Sequence, residues 1–359
     1  MRMPGSSSPA RLRLFETFPR LAAIPHLDLV ERPTPVARLD RFSERLGSDV
    51  WIKRDDLTSP VYGGNKPRKL EFILAQAKAQ GKRRLVTGGG IGTNHGLATT
   101  IFGRRTGFNV ELLLFEQPVT DHVRTNLRLF HAHQADLKFT GGLYGFAWSY
   151  FIKERLLQPG SFFVAPGGSS IPGTLGYVDA GLELAGQIAA GVLPEPCTVF
   201  VAAGTCGTLA GLALGLKLAG LKSKVVGIQV AAAISANTKN ALKLARNAHA
   251  LIRKTDPDIP NLDFTADDIA IDPNFFGPGY GHATSECQAA YDLMAETEGL
   301  KLDLTYTAKT LAGLRDYIQQ GRCQGPVLFW NTFNSVDLSP TAQEVNPNEL
   351  PPAFHRFFE

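Results

Sequence analysis

The stretch Gly63-Gly64-Asn65-Lys66-Pro67-Arg68-Lys69-Leu70 sets three cations within four positions, directly behind a glycine pair. Charges ordinarily lie at the surface, so a solvated basic turn is the competing reading of these residues. A lysine on a hinge can also serve as a reactive primary amine that forms a Schiff base. Two further glycine-rich loops precede helix-like stretches. Gly88 to His95, GGGIGTNH, ends in Thr93, Asn94 and His95, where the free N–H groups and dipole of a helix start favour an anion such as a carboxylate. Gly204-Thr205-Cys206-Gly207-Thr208 sets small residues and hydroxyls ahead of an apolar stretch and suits a phosphate group.

The phosphate loop has no Lys-Ser/Thr pair to close a P-loop, and it lacks the full G-x-G-x-x-G dinucleotide fingerprint. The phosphate of a smaller cofactor remains. A poised lysine together with a phosphate cradle meets the needs of pyridoxal phosphate, whose ring is an electron sink while protein groups set geometry and charge.

These loops need a framework, and the chain is long enough to supply one. Its 359 residues suggest two domains, or one large domain with an insertion. Hydrophobic residues at 44% and charged residues at 19% describe a globular protein. The balance of 37 cations against 33 carboxylates comes with no basic run or aromatic-interleaved basic patch, which argues against a nucleic-acid partner. Cys197, Cys206, Cys287 and Cys323 form no CxxC pair and no zinc-site spacing, so a reducing, cytoplasmic location and no metal are expected. The N-terminus has no apolar core of a secretory signal and reads as a loosely ordered arm over residues 1–20. Val199 to Leu216 is uncharged over 18 residues, but glycine and hydroxyl residues cluster in its middle. It therefore reads as a buried strand, a glycine loop and a buried helix, with no membrane role.

Short apolar runs recur at Val50 to Ile52, Arg84 to Thr87, Val110 to Phe115, Ser161 to Val164, Thr198 to Ala202, Val225 to Val230 and Val327 to Trp330. Between most of them lie helix-like stretches, at Lys69 to Gln80, Asn94 to Arg105, Thr125 to His133, Leu175 to Ala190 and Leu209 to Ala219. That alternation predicts an α/β fold of two domains, each a mostly parallel sheet flanked by helices. The large domain is expected from residues 21–62 plus 185–359, with a smaller domain, 63–184, inserted into it. Residues 231–273 read as a helical and then Pro/Asp-rich excursion.

The landmarks PTPVARLDRFSERLGSDVWIKRDDL (33–57), GGNKPRKLEF (63–72), GGGIGTNH (88–95), GTCGTLAGL (204–212), GYG (279–281) and LDLTYTAKTLAGL (302–314) occur in a specific order. In that order the chain resembles the pyridoxal-phosphate family of 1-aminocyclopropane-1-carboxylate deaminase and D-cysteine desulfhydrase, within the tryptophan synthase β-like, fold type II group. The resemblance implies a cofactor seated in the cleft between the domains and a homodimer. It makes Lys66 the Schiff-base lysine and leaves Arg68 and Lys69 solvated or ion-paired. It assigns Asn94 to the cofactor's phenolic oxygen, and Thr93, Asn94 and His95 to the substrate carboxylate. Gly204, Thr205, Cys206, Gly207 and Thr208 correspond to the phosphate loop, in which Cys206 replaces a glycine.

By the same resemblance Tyr280 and Tyr306 match two active-site tyrosines, and Thr307 and Thr332 lie near the cofactor. Thr307 stands where the deaminase branch carries a glutamate, and His95 where it carries a glutamine; both point to the desulfhydrase branch. Phe333 and Asn334 replace two glycines of the family's His-Thr-Gly-Gly, which alters the pocket. The implied activity is α,β-elimination on a small amino acid, with D-cysteine giving pyruvate, ammonia and sulfide. Ring opening of 1-aminocyclopropane-1-carboxylate, another lyase or racemase reaction, and a pyridoxal-phosphate carrier without turnover are the alternatives.

Overall fold

The computed structural model describes residues 11–359, so the first ten residues of the expected arm lie outside the described residues. Two sheets form the framework. The larger runs in the order β1 (Val36–Arg38), β2 (Val50–Arg54), β10 (Val327–Asn331), β7 (Thr198–Ala203), β8 (Lys224–Gln229) and β9 (Ile269–Asp272). Its pairings are parallel except that of β1 with β2. The smaller runs β5 (Asp136–Phe139), β4 (Asn109–Phe115), β3 (Arg84–Gly90) and β6 (Phe162–Phe163), all parallel.

Parallel strands are covered on both faces, which is why β4 and β7 read as continuous apolar runs. The strand alternation sends Val199 and Val201 into one layer, with Leu209, Leu212 and Trp330, and Phe200 into the other, with Ile52, Leu311 and Phe329. A third core, around Leu85, Leu97, Leu112 and Leu114, covers the small sheet. On the large sheet the helices Ile171–Ala189 and Gly207–Leu218 approach closely because Gly181 faces Gly215; a Cβ on Gly181 would lie 3.0 Å from the Gly215 Cα.

The Val199 to Leu216 segment forms β7, a turn and the helix Gly207–Leu218, and no described helix is long and apolar enough to cross a membrane. Four readings of the sequence need correction. The chain is not loosely held from residue 11 to 20: Leu12, Leu14 and Phe15 are buried, and the Leu14 N–H donates to Asp179 Oδ1 at 2.9 Å. A division at residue 184 would cut through the helix Ile171–Ala189, whose buried residues join the large-sheet core. The C-terminal Ala342, Leu350, Phe354 and Phe357 pack into the small-sheet core, so the tail does not belong with the large sheet. Finally, the excursion over 231–273 is helical at first as expected, over Thr238–Thr255, but its later part is no excursion: it forms β9, which pairs in parallel with β8.

Candidate active site

The lysine turn is held from two sides. The Gly64 N–H donates to the Asp55 carbonyl at 2.8 Å, just past β2, and the Gly63 N–H donates to Asn334 Oδ1 at 2.7 Å, just past β10. Gly64 has φ of +84°, and a Cβ there would sit 2.6 Å from the Thr332 carbonyl oxygen. Only glycine accepts both the left-handed backbone and that approach. Lys66 opens the helix Lys66–Ala79, and Pro67 suits its first turn. Lys66 Nζ donates to Asn65 Oδ1 at 2.8 Å, and Asn65 Nδ2 donates to Thr208 Oγ1 at 3.1 Å, tying the amine to the phosphate loop. Burial lowers the Lys66 amine to about 8, against a smaller opposing pull from Asp303.

The neighbouring cations are not solvated. Arg68 is fully buried and bonds Asp55 Oδ1 at 2.9 Å and Glu183 Oε1 at 3.0 Å. Asp55 also accepts from Thr34, Tyr177 and Trp330, and Glu183 from Lys53 at 2.6 Å. This charged core joins β2, β10 and two helices beneath the lysine turn. Lys69, one helical turn beyond Lys66, is buried and donates to the Gly167 carbonyl at 3.1 Å. Burial, and then the nearby Lys66 charge, push its amine well below the usual lysine range. With only a carbonyl oxygen as partner, this buried amine needs an anion beside it to hold its charge.

That anion has a place to sit. The Gly204–Thr208 loop follows β7 and starts the helix Gly207–Leu218, whose first N–H groups lack partners within the helix. Cys206 takes a left-handed conformation that ordinarily favours glycine, with φ of 65°, and its thiol points to the Ser235 carbonyl at 3.3 Å. Ser169 clamps it, bonding the Thr205 hydroxyl at 2.6 Å and accepting from the Gly207 N–H at 3.1 Å.

Thr93 caps the helix Asn94–Arg105 by accepting from the Gly96 N–H at 3.2 Å, which leaves its hydroxyl proton free to be donated. Asn94 Oδ1 accepts from Asn126 Nδ2 at 3.1 Å, so its own NH₂ is left as a donor. His95 departs from the expected contact with a carboxylate. The one hydroxyl proton of Thr87 goes to the Val164 carbonyl at 2.9 Å, so at the 3.1 Å contact with Thr87 it is His95 Nε2 that carries the hydrogen. Its Nδ1 is then a bare, buried acceptor without a partner. Burial, Lys66 and Lys69 hold the ring neutral, and a lone pair repels a carboxylate.

Tyr280 and Tyr306 share a short hydrogen bond between their hydroxyls, and burial raises both phenols above their ordinary range. Both hold their protons at neutral pH. Thr307 donates to Asp303 Oδ2 at 2.7 Å, and Asp303 also accepts from the Tyr306 N–H at 2.6 Å, fixing the start of the helix Thr307–Gln319. Thr332 lies against Gly64 through its carbonyl.

Sequence reasoning missed the roles of Asn65, Lys69, Asn126, Ser169 and Asp303. Lys69 carried a signal, being one helical turn from Lys66 on the same face. Asn65 and Asp303 touch near neighbours in sequence, Lys66 and Thr307, whereas Asn126 and Ser169 act through contacts between separate segments.

An amine brought down to about 8, a second buried amine that needs an anion to hold its charge and a helix start beside both fit an aldehyde that carries a phosphate. Residues 27–332 match the family described as pyridoxal-phosphate dependent enzymes. The chain belongs to this family. It is therefore a pyridoxal-phosphate-dependent enzyme with the α/β fold of that family. It is 34% identical over 323 residues to a D-cysteine desulfhydrase of Klebsiella pneumoniae (strain 342), covering 87% of this chain and 94% of the relative. Its structure is similar to that of an ACC deaminase homologue, with a TM-score of 0.77 and 29% identity, covering 91% and 96% of the two chains. The processed form of threonine deaminase isoform 2 from Solanum lycopersicum shares the fold, at a TM-score of 0.63 and 17% identity over 92% and 87% of the chains.

Proposed function

We propose that the enzyme is a lyase that eliminates the β-substituent of a small amino acid, with D-cysteine as the substrate of choice. The observation that carries this reading is the Lys66 amine, brought to about 8 by burial and linked through Asn65 to the phosphate loop. When bound, pyridoxal phosphate supplies the electron sink that makes loss of an α-proton feasible. Lys66 anchors the cofactor's aldehyde carbon. Lys69, the loop N–H groups, Thr205 and Thr208 hold its phosphate, and the Asn94 amide donates to its phenolic oxygen. Thr332 and Thr307 line its ring, and Thr307, whose hydroxyl gives its proton to Asp303, sets no charge of its own where the deaminase branch has a glutamate.

The Thr93 hydroxyl and the Asn94 backbone N–H receive the substrate carboxylate. Lys66, once displaced by the substrate amine, takes the α-proton, because Tyr280 and Tyr306 hold theirs. The tyrosine pair then donates toward the departing sulfur. The balance is D-cysteine plus water giving pyruvate, ammonia and hydrogen sulfide. A homodimer and a cytoplasmic location accompany this reading.

Purified protein given D-cysteine should release pyruvate and sulfide in equal amounts, and Lys66→Ala should release neither. Release of 2-oxobutanoate from 1-aminocyclopropane-1-carboxylate, with no sulfide from D-cysteine, would assign the enzyme to the deaminase branch. Retained cofactor without turnover of any amino acid would leave only a carrier.

A further inference from the structure

Away from the cofactor loops, three side chains of metal-ligating type converge where the N-terminal segment crosses the helix Lys66–Ala79. His26 Nε2 lies 3.7 Å from Asp28 Oδ1 and 3.7 Å from Glu71 Oε1, and the three ligand atoms fall within 4.8 Å of one another. The imidazole stands edge-on to Phe15, with ring centroids 5.8 Å apart, and is tilted on Phe72 at 5.5 Å, so packing fixes where its nitrogens point. Nε2 is buried and has no hydrogen-bond partner. A buried polar atom ordinarily has one, and 3.7 Å is too long for a hydrogen bond to either carboxylate.

We propose that His26, Asp28 and Glu71 bind a divalent metal ion of the zinc class. Zinc takes imidazole nitrogen and carboxylate oxygen at about 2.0–2.2 Å, so the ligand atoms around a tetrahedral ion stand roughly 3.4 Å apart. The two His26 separations are close to that spacing. Asp28, 57% exposed, can swing in to close the rest, and water reaches the fourth position from its open side. Glu71 is set in advance. Its side chain is fully buried, the Leu29 and Val30 N–H groups donate to Oε1 at 3.0 and 3.2 Å, and Arg32 bonds Oε2. Outer contacts of this kind orient a ligating carboxylate. Arg32 is shared with Asp179, so it offsets only part of the charge of the two carboxylates that face His26. One imidazole and two carboxylates suit a borderline cation better than a soft one, and the site uses none of the four cysteines. The ion clamps residues 26–28 to the helix that Lys66 opens and takes no part in the reaction, so the inference stands apart from the choice of substrate.

The test is equilibrium dialysis of the tag-free, cofactor-loaded enzyme against zinc chloride, with the metal counted by atomic emission. Wild type should hold one zinc ion per chain that His26→Gln does not hold. Asp28→Asn, a change at the surface that leaves the fold intact, should weaken binding of that ion by about tenfold or more. Zinc should also raise the thermal midpoint of wild type and leave that of His26→Gln where it was, with cofactor absorbance unchanged in all three proteins. Wild type that binds no zinc would overturn the proposal and leave His26 as a protonated partner of the two carboxylates. Zinc held equally by wild type and Asp28→Asn would overturn it too, by placing the ion elsewhere, and this second variant decides the matter if His26→Gln fails to fold.

Discussion

Replacing Lys66 by methionine removes a charge and keeps most of the side chain's volume. In the cofactor-free protein, burial takes this ammonium from 10.5 to about 8. At about 1.4 kcal/mol per pH unit, the charged amine opposes folding by roughly 3 kcal/mol near neutral pH. Lys66 retains partial access to solvent, so a stabilisation of about 1–3 kcal/mol is expected of cofactor-free Lys66→Met. The folded pKa lies below the unfolded one, so between pH 8 and 10.5 the unfolded chain holds more protons. Wild-type stability should therefore rise with pH across that window and stay level below it, while the variant lacks this contribution. Urea unfolding of both cofactor-free proteins at about pH 7 and about pH 9.5 measures the difference directly. Adding pyridoxal phosphate should reverse the order, because it stabilises wild type by mass action through its lysine. A cofactor-free variant no more stable than wild type at neutral pH, with the same pH slope, would refute the desolvated-amine argument and leave a solvated basic turn.

Lys69→Met should loosen the cofactor by removing a charge-assisted contact with its phosphate, worth about 1.5–3 kcal/mol, or roughly 10- to 150-fold in Kd. Equilibrium dialysis reads this, and an unchanged Kd would place the phosphate elsewhere. Arg68→Met strands Asp55 and Glu183 in the interior and should cost about 3–5 kcal/mol in urea unfolding; a loss below about 1 kcal/mol would show that water reaches the network. Gly64→Ala forces a left-handed alanine against the Thr332 and Phe333 carbonyls, costing about 1–3 kcal/mol and weakening cofactor retention. Retention equal to wild type would mean that the lysine turn can shift without consequence.

Much of the framework was legible because its signals are local. The parallel strands β4, β7, β8 and β10 are apolar runs bounded by turn residues, and the helix Asn94–Arg105 falls where its periodicity and cap predict. β1, β5 and β9 were not legible: they are three or four residues long and have polar positions on their open sides. They exist because a neighbouring strand offers them a ladder. The last turns of the chain were expected with the large domain, yet Phe354 and Phe357 are buried against the small sheet, which has an apolar face for them to cover.

The residue types at the site and their order along the chain were set by the sequence alone, including Lys66 behind its glycine pair and the small residues of the phosphate loop. Their states were decided by the tertiary structure. Arg68 and Lys69 read as solvated or ion-paired; the fold buries both, pairing Arg68 with Asp55 and Glu183 and setting Lys69 on the Gly167 carbonyl, and His95 reads as an anion ligand until Thr87 claims its Nε2 hydrogen. Charge state and proton position depend on desolvation and on partners that lie from 8 to 115 residues away along the chain. Even the nearer ones, Thr87 and Asp55, meet their partners only once the fold has buried them.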